Sequence, residues 1–188
     1  MPDAPIPATR WRCLSGRRTR RANSRNRYSF LATDLGWGPL LTALTADLIA
    51  PVAAVLLPAH ATAANDGGGD GGLRFHHAHT IQRVADGAQG SAACPLPGSN
   101  RGSRHFDDAD VTFNVNIGGE WEGGGELSLF GHHREIRDVA TAKEAARVPN
   151  ALGWAVLHPG ALLHQARRLS GGCRMNLVVW CKRAPRAS

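Results

Sequence analysis

Hydrophobic and polar positions fall into two regimes along this chain. Within residues 35–57, Leu40, Leu41, Leu44, Leu48 and Val52 recur at steps of three and four, which predicts a helix with one apolar face. Asp47 falls off that face, and Pro51 is expected to kink the helix or divide it in two. From residue 105 onward the period changes to two. In 111–117, Val111, Phe113, Val115 and Ile117 alternate with Thr112, Asn114 and Asn116, as a strand with one buried face requires. Further short strands are predicted at 75–84, 127–130, 153–158, 161–164 and 174–181, and the glycines of 122–126 predict a tight turn. Short strands punctuated by Gly and Pro indicate a mainly β sandwich or barrel, with the helix covering an open side of a sheet.

Between these regimes the patterning lapses. The run Asn-Asp-Gly-Gly-Gly-Asp-Gly-Gly at 65–72 reads as a connector, and 85–104 as a loop rich in Gly, Ser and Pro. A loop that long inside a compact domain tends to be functional or disordered. The 188 residues suit one domain, and a core of that size needs no metal or disulfide merely to fold.

Charge divides the chain again. Residues 1–30 hold eight Arg and one Asp, which accounts for the whole net charge of +7, while residues 31–188 hold 14 basic and 14 acidic residues. The first 30 residues therefore read as a disordered basic arm, a solvated tail or transit-like leader, with a nucleic-acid-binding arm as the competing reading. The neutral body and the lack of interleaved aromatics argue against nucleic acid as the partner. A basic arm of this kind suits either a cytoplasmic or an organellar protein. The apolar stretch 48–57 is ten residues long, too short for a membrane span. Cys13, Cys94, Cys173 and Cys181 show no paired spacing, so no disulfide framework is expected, and Cys173 and Cys181, which flank one apolar run, are expected as small buried hydrophobes.

Candidate chemistry begins at His105-Phe106-Asp107. On extended backbone, residues i and i+2 project to one side, so His105 and Asp107 can share an ion while Asp108 points away. An imidazole and a carboxylate so placed are two parts of the facial triad of non-haem iron(II) oxygenases. His164 is the candidate third ligand. Arg174, ten residues further on, heads an apolar strand and can grip the distal carboxylate of a dicarboxylic co-substrate through its planar fork. Trp154 and Trp180 are expected to fill the core. His158 is expected in a supporting place beside the ligands, and His76, His77, His79, His132 and His133 in polar loop or edge positions, since none has zinc-site spacing.

The ordered pieces His105-Phe-Asp107, Val111-Thr-Phe-Asn, Glu122-Gly-Gly-Gly-Glu-Leu, Gly153-Trp-Ala-Val-Leu-His-Pro-Gly160, His164, and Gly172-Cys-Arg174 through Trp180 resemble the catalytic domain of iron(II)- and 2-oxoglutarate-dependent dioxygenases of the prolyl and lysyl hydroxylase type. The resemblance spans roughly 105–182 and extends more weakly over 35–84. It implies a double-stranded β-helix (jelly roll) over 31–188, with flanking helices at 35–57, the loop at 85–104 and a barrel core at 105–182. It further implies Fe(II) on His105, Asp107 and His164, and 2-oxoglutarate against Arg174, Thr112 and Asn176. Ascorbate (vitamin C) is the expected reductant. The implied reaction is O2-dependent hydroxylation of an aliphatic carbon on a prolyl or lysyl side chain of a protein or peptide, with release of succinate and CO2. The alternative is a catalytically impaired binding module of the same barrel. Where relatives commonly carry a Tyr, this chain has the stretch His79-Thr-Ile-Gln-Arg83, and its sole Tyr is Tyr28.

Overall fold

The computed structural model describes residues 29–61, 72–88, 90, 91, 94, 98–100 and 102–183. The basic arm up to residue 28 and the glycine connector at 65–71 lie outside them. The strands are β1 (Ser29–Leu31), β2 (Leu73–Val84), β3 (Val111–Gly118), β4 (Leu127–His132), β5 (Ala146–Val148), β6 (Ala155–Pro159), β7 (Leu162–Ala166) and β8 (Cys173–Arg183). They form two antiparallel sheets, one of five strands in the order β1-β2-β8-β3-β6 and one of three in the order β5-β4-β7.

The alternation read in 111–117 decides what each face of the larger sheet holds. Residues directly paired across antiparallel strands project to the same side. Val111, Phe113 and Val115 of β3 therefore share a side with Leu177, Val179 and Cys181 of β8, and with Ala78 of β2. This side packs against helices α1 (Gly38–Leu44) and α2 (Ala50–Leu56) to make the main core. Thr112, Asn114 and Asn116 turn the other way, with Arg174, Asn176, Val178 and Trp180 of β8, His77, His79, Ile81 and Arg83 of β2, and His158 of β6. Ile117 departs from the pattern: a register shift between Asn116 and Gly118 leaves it exposed.

The helix differs from expectation at its centre. Pro51 neither divides nor visibly ends it, because a π-helical turn, Thr45–Ile49, joins α1 to α2 and the Ala50 N–H donates to Thr45 O. Proline lacks the N–H that an ordinary turn would direct to Asp47 O, and the wider turn removes that demand. The apolar face rotates as a result. At about 100° per residue, positions 41 and 53 of a regular helix would diverge by about 120°. The wider turn brings Leu41, Thr45, Ile49 and Ala53 into one buried stripe, leaving Leu40 and Leu48, expected on the packing face, 60% and 46% exposed. End to end the helical segment Gly38–Leu56 has 19 residues and is long and apolar enough by length and composition to cross a membrane. The ten-residue count at 48–57 understated it.

Two further expectations are corrected. Cys173 is no simple buried hydrophobe but is disulfide-bonded to Cys94, with the Cα atoms 5.7 Å apart. Spacing along the chain could not reveal the pair because 79 residues separate its members. Cys181 is free and buried as expected, its thiol pushed up to about 11 by burial. Trp154 lies in a turn before β6 and is 60% exposed, while Trp180 lies on the polar side of the sheet against the rings of His77 and His79.

Candidate metal centre

His105 stands outside the named strands, yet its backbone is fixed. Its N–H donates to His164 O at 3.0 Å and its carbonyl accepts from His164 N at 3.1 Å, forming an isolated bridge to β7. Two residues on, Asp107 N donates to Gly160 O at 2.9 Å. Gly160 fits because an added Cβ would strike Ala109 O and crowd Asp107 O. The extended His-Phe-Asp segment is thus laid along β7 and the turn that precedes it. Among the described residues, His105, Asp107 and His164 form the one group of three potential ligands, with their ligand atoms within 4.8 Å of one another. Their placement matches the sequence expectation: His105 and Asp107 share a side, and Asp108 instead pairs with Lys182 at 2.8 Å.

The hydrogen bonds around the two imidazoles select a tautomer. His105 Nδ1 lies 2.9 Å from Ser103 O and His164 Nδ1 lies 2.9 Å from Leu162 O. Carbonyls only accept, so each Nδ1 carries the proton and each Nε2 presents a lone pair. Those Nε2 atoms face Asp107, 3.6 Å from Oδ1 and Oδ2 respectively. Burial, with His158 next in order, pushes His164 down to about 4, so its ring is neutral near pH 7. Asp107 is itself nearly enclosed and accepts a hydrogen bond from Thr112 Oγ1 at 2.8 Å. Fixing ligand orientation through outer hydrogen bonds is a recurring feature of metal sites. Two imidazole nitrogens and one carboxylate, gathered on one side, form a donor set suited to a divalent first-row metal.

His158 is buried next to this group. Its ring centroid is 4.6 Å from that of His164, its Nδ1 is turned to Pro159 O, and its Nε2 is buried without a partner. Burial holds its pKa below the ordinary histidine value. It therefore sits beside the ligand group, in the supporting place expected of it. His79, on the same sheet face, is likewise pushed down to about 4, chiefly by burial.

Arg174 is almost fully buried. Its Nη1 donates to Gly125 O, and its guanidinium lies 5.8 Å from the Trp121 ring centre. Gly125 has φ +79°, and an added Cβ would collide with that guanidinium, so the glycine turn at 122–126 admits the arginine. Asn176 donates from Nδ2 to Asn114 Oδ1 at 2.7 Å. Thr112, expected against co-substrate, has its hydroxyl on Asp107. Arg83, on the same face and directly paired with Arg174, was not singled out in the sequence as a site residue. The period-two pattern through 73–84 was the signal that could have found it.

The chain as a whole is similar to known proteins. No family model matches the chain. It is 34% identical over 163 residues to the human 2-oxoglutarate and iron-dependent oxygenase domain-containing protein 2, covering 86% of this chain and 40% of that protein. It is 29% identical over 164 residues to an Arabidopsis thaliana 2-oxoglutarate and iron-dependent oxygenase domain-containing protein, covering 86% of this chain and 36% of that one. The chain thus spans about two-fifths of the length of the curated relatives it matches. Among solved structures, a prolyl 4-hydroxylase from Phytophthora capsici superposes with a TM-score of 0.51 at 15% identity, covering 86% of this chain and 50% of that one, a likeness of fold. The resemblance drawn from the order of the motifs is borne out by relatives that carry the same description.

Proposed function

We propose that this chain is the core of an iron(II)- and 2-oxoglutarate-dependent dioxygenase that hydroxylates an aliphatic carbon of a prolyl or lysyl side chain in a protein. One observation carries the reading: His105, Asp107 and His164 converge, with both Nε2 atoms freed for a metal by carbonyl contacts at Nδ1. The names of the similar proteins support iron and 2-oxoglutarate in particular. On this reading residues 31–188 form one domain, and the two antiparallel sheets are the halves of a double-stranded β-helix with the site between them.

His105, Asp107 and His164 hold the iron, and Thr112 keeps the Asp107 carboxylate turned toward it. Arg174 takes the distal carboxylate of 2-oxoglutarate, with Thr112 and Asn176 completing that wall of the pocket. Two imidazoles and one carboxylate would hold the iron through protein and leave it accessible to the co-substrate. When bound, the iron would let O2 oxidise both partners, one oxygen atom converting C–H to C–OH and the other entering the co-substrate, which would leave as succinate and CO2. The protein's own share is to turn both Nε2 atoms toward the carboxylate, fix that carboxylate, and enclose an anion-binding guanidinium away from water.

The test is succinate release from 2-oxoglutarate by the full chain with Fe(II), ascorbate and O2, followed by mass spectrometry of a peptide library for added oxygen. A gain of one oxygen on prolyl or lysyl residues, dependent on all three additions, is expected. Iron and 2-oxoglutarate binding without any succinate release would instead favour a binding module of the same barrel. The observation on that side is that β2 carries His79 and Arg83 where relatives commonly place Tyr.

A further inference from the structure

We infer that Arg83 is a second anchor for the distal carboxylate of 2-oxoglutarate, acting with Arg174 as a paired guanidinium clamp; this rests on the co-substrate reading above. Arg83 and Arg174 are register partners on the adjacent antiparallel strands β2 and β8, so their side chains leave the sheet side by side toward the interior. Among the described residues each keeps a buried N–H group without an acceptor, Nη1 on Arg83 and Nε on Arg174. Among the described residues neither forms an ion pair. Glu126 is the acid whose field acts on Arg174.

Like charges directly opposite one another destabilise a sheet, and a buried donor without a partner adds a further cost. Two such costs at one register position are met together by an anion between the guanidiniums. Burial presses both groups down to about 10, and on Arg174 the neighbouring Arg83 adds to it, which is the electrostatic signature of unneutralised positive charge. Glycine lets the backbone come close against each guanidinium. A Cβ at Gly102 would sit 3.1 Å from Arg83 Nη2 and 3.2 Å from its Nη1, and one at Gly125 would meet the Arg174 guanidinium. The clamp lies four residues along β2 from His79, itself close enough to Asp107 and His105 to feel their charges. The ligand this arrangement fits is a short diacid, one end at the metal and the other between two forks.

The experiment measures 2-oxoglutarate binding to the full chain loaded with Fe(II) under argon, by calorimetry and by the visible charge-transfer band, with 2-oxobutyrate as the analogue lacking the distal carboxylate. Arg83→Met is expected to weaken 2-oxoglutarate binding about 10- to 100-fold, the range of a lost charge-assisted hydrogen bond, with 2-oxobutyrate binding unchanged. Arg83→Lys should recover part of the loss. Equal loss for both keto acids, or loss of 2-oxoglutarate affinity only in step with a falling Tm, would make Arg83 a packing residue and overturn the inference. Unchanged 2-oxoglutarate affinity in Arg83→Met, with wild type binding normally, would overturn it alone. Wild-type protein that binds iron but no 2-oxoglutarate would overturn the co-substrate reading itself.

Discussion

The two faces of the five-stranded sheet are built from alternate residues of the same strands, yet they are opposite kinds of environment. On the helix side, Val111, Val179, Cys181 and Ala78 meet Leu41, Ile49 and Ala53, and the core is almost entirely apolar. On the inner side, buried polar groups crowd together and divide again. The asparagines satisfy one another: Asn176 reaches Asn114, and Asn116 Nδ2 donates to Asn150 O at 2.9 Å. The groups nearer the proposed chemistry do not. Among the described residues, His79 Nδ1, His158 Nε2, Arg83 Nη1, Arg174 Nε and Trp180 Nε1 are all buried without partners. Each such group costs about 1–3 kcal/mol. A face that carries several has polar capacity that its own packing leaves unused, whereas the opposite face is mainly apolar.

Substitutions that separate stability from chemistry test this division. The largest effect is expected from Asp107→Ala, which removes the sole carboxylate of the ligand group. Iron binding measured by metal analysis and succinate release should both fall to background, while circular dichroism retains the fold. On the opposite face, Leu41→Ala should cost about 2–5 kcal/mol in denaturant unfolding through the cavity it opens, with the KM for 2-oxoglutarate unchanged. A shift in KM from that variant would mean that the two faces are coupled. Arg174→Ala should raise the KM for 2-oxoglutarate about 10- to 100-fold and leave kcat within a few-fold, because the distal carboxylate is gripped equally in ground and transition states. Thr112→Val, which deletes only the hydroxyl that orients Asp107, should reduce iron affinity about 10-fold in a competition titration. If Thr112→Val instead alters only 2-oxoglutarate affinity, its contact is with the co-substrate and not with the ligand.

Much of the site was legible because its signals are local. Spacing of two residues put His105 and Asp107 on one side, and the alternation of 111–117 divided β3 into its two faces, except at Ile117, without showing that the polar face would be buried as well. What escaped was set by partners far away in the chain. Thr112 could be assigned to the inner face, but only the path of the His105–Asp107 segment shows that its hydroxyl meets Asp107. Asn100 illustrates the same limit: its side chain both donates to and accepts from the Leu169 backbone, at 2.9 and 2.7 Å, tying the 85–104 loop to the approach to β8. Nothing in its neighbours forecasts that pairing.

By itself the sequence determined the strand periods, the order of the ligands, and the candidate arginine on β8, because period and order are properties of neighbouring residues. The tertiary structure decided the rest. It set the π turn that rotates the helix onto Leu41, Thr45, Ile49 and Ala53, the bond between Cys94 and Cys173, the exposure of Trp154, and the pairing of Arg83 with Arg174. Each of those depends on strand register or on helix phase, and both are settled only when separate segments pack and their alternatives are excluded.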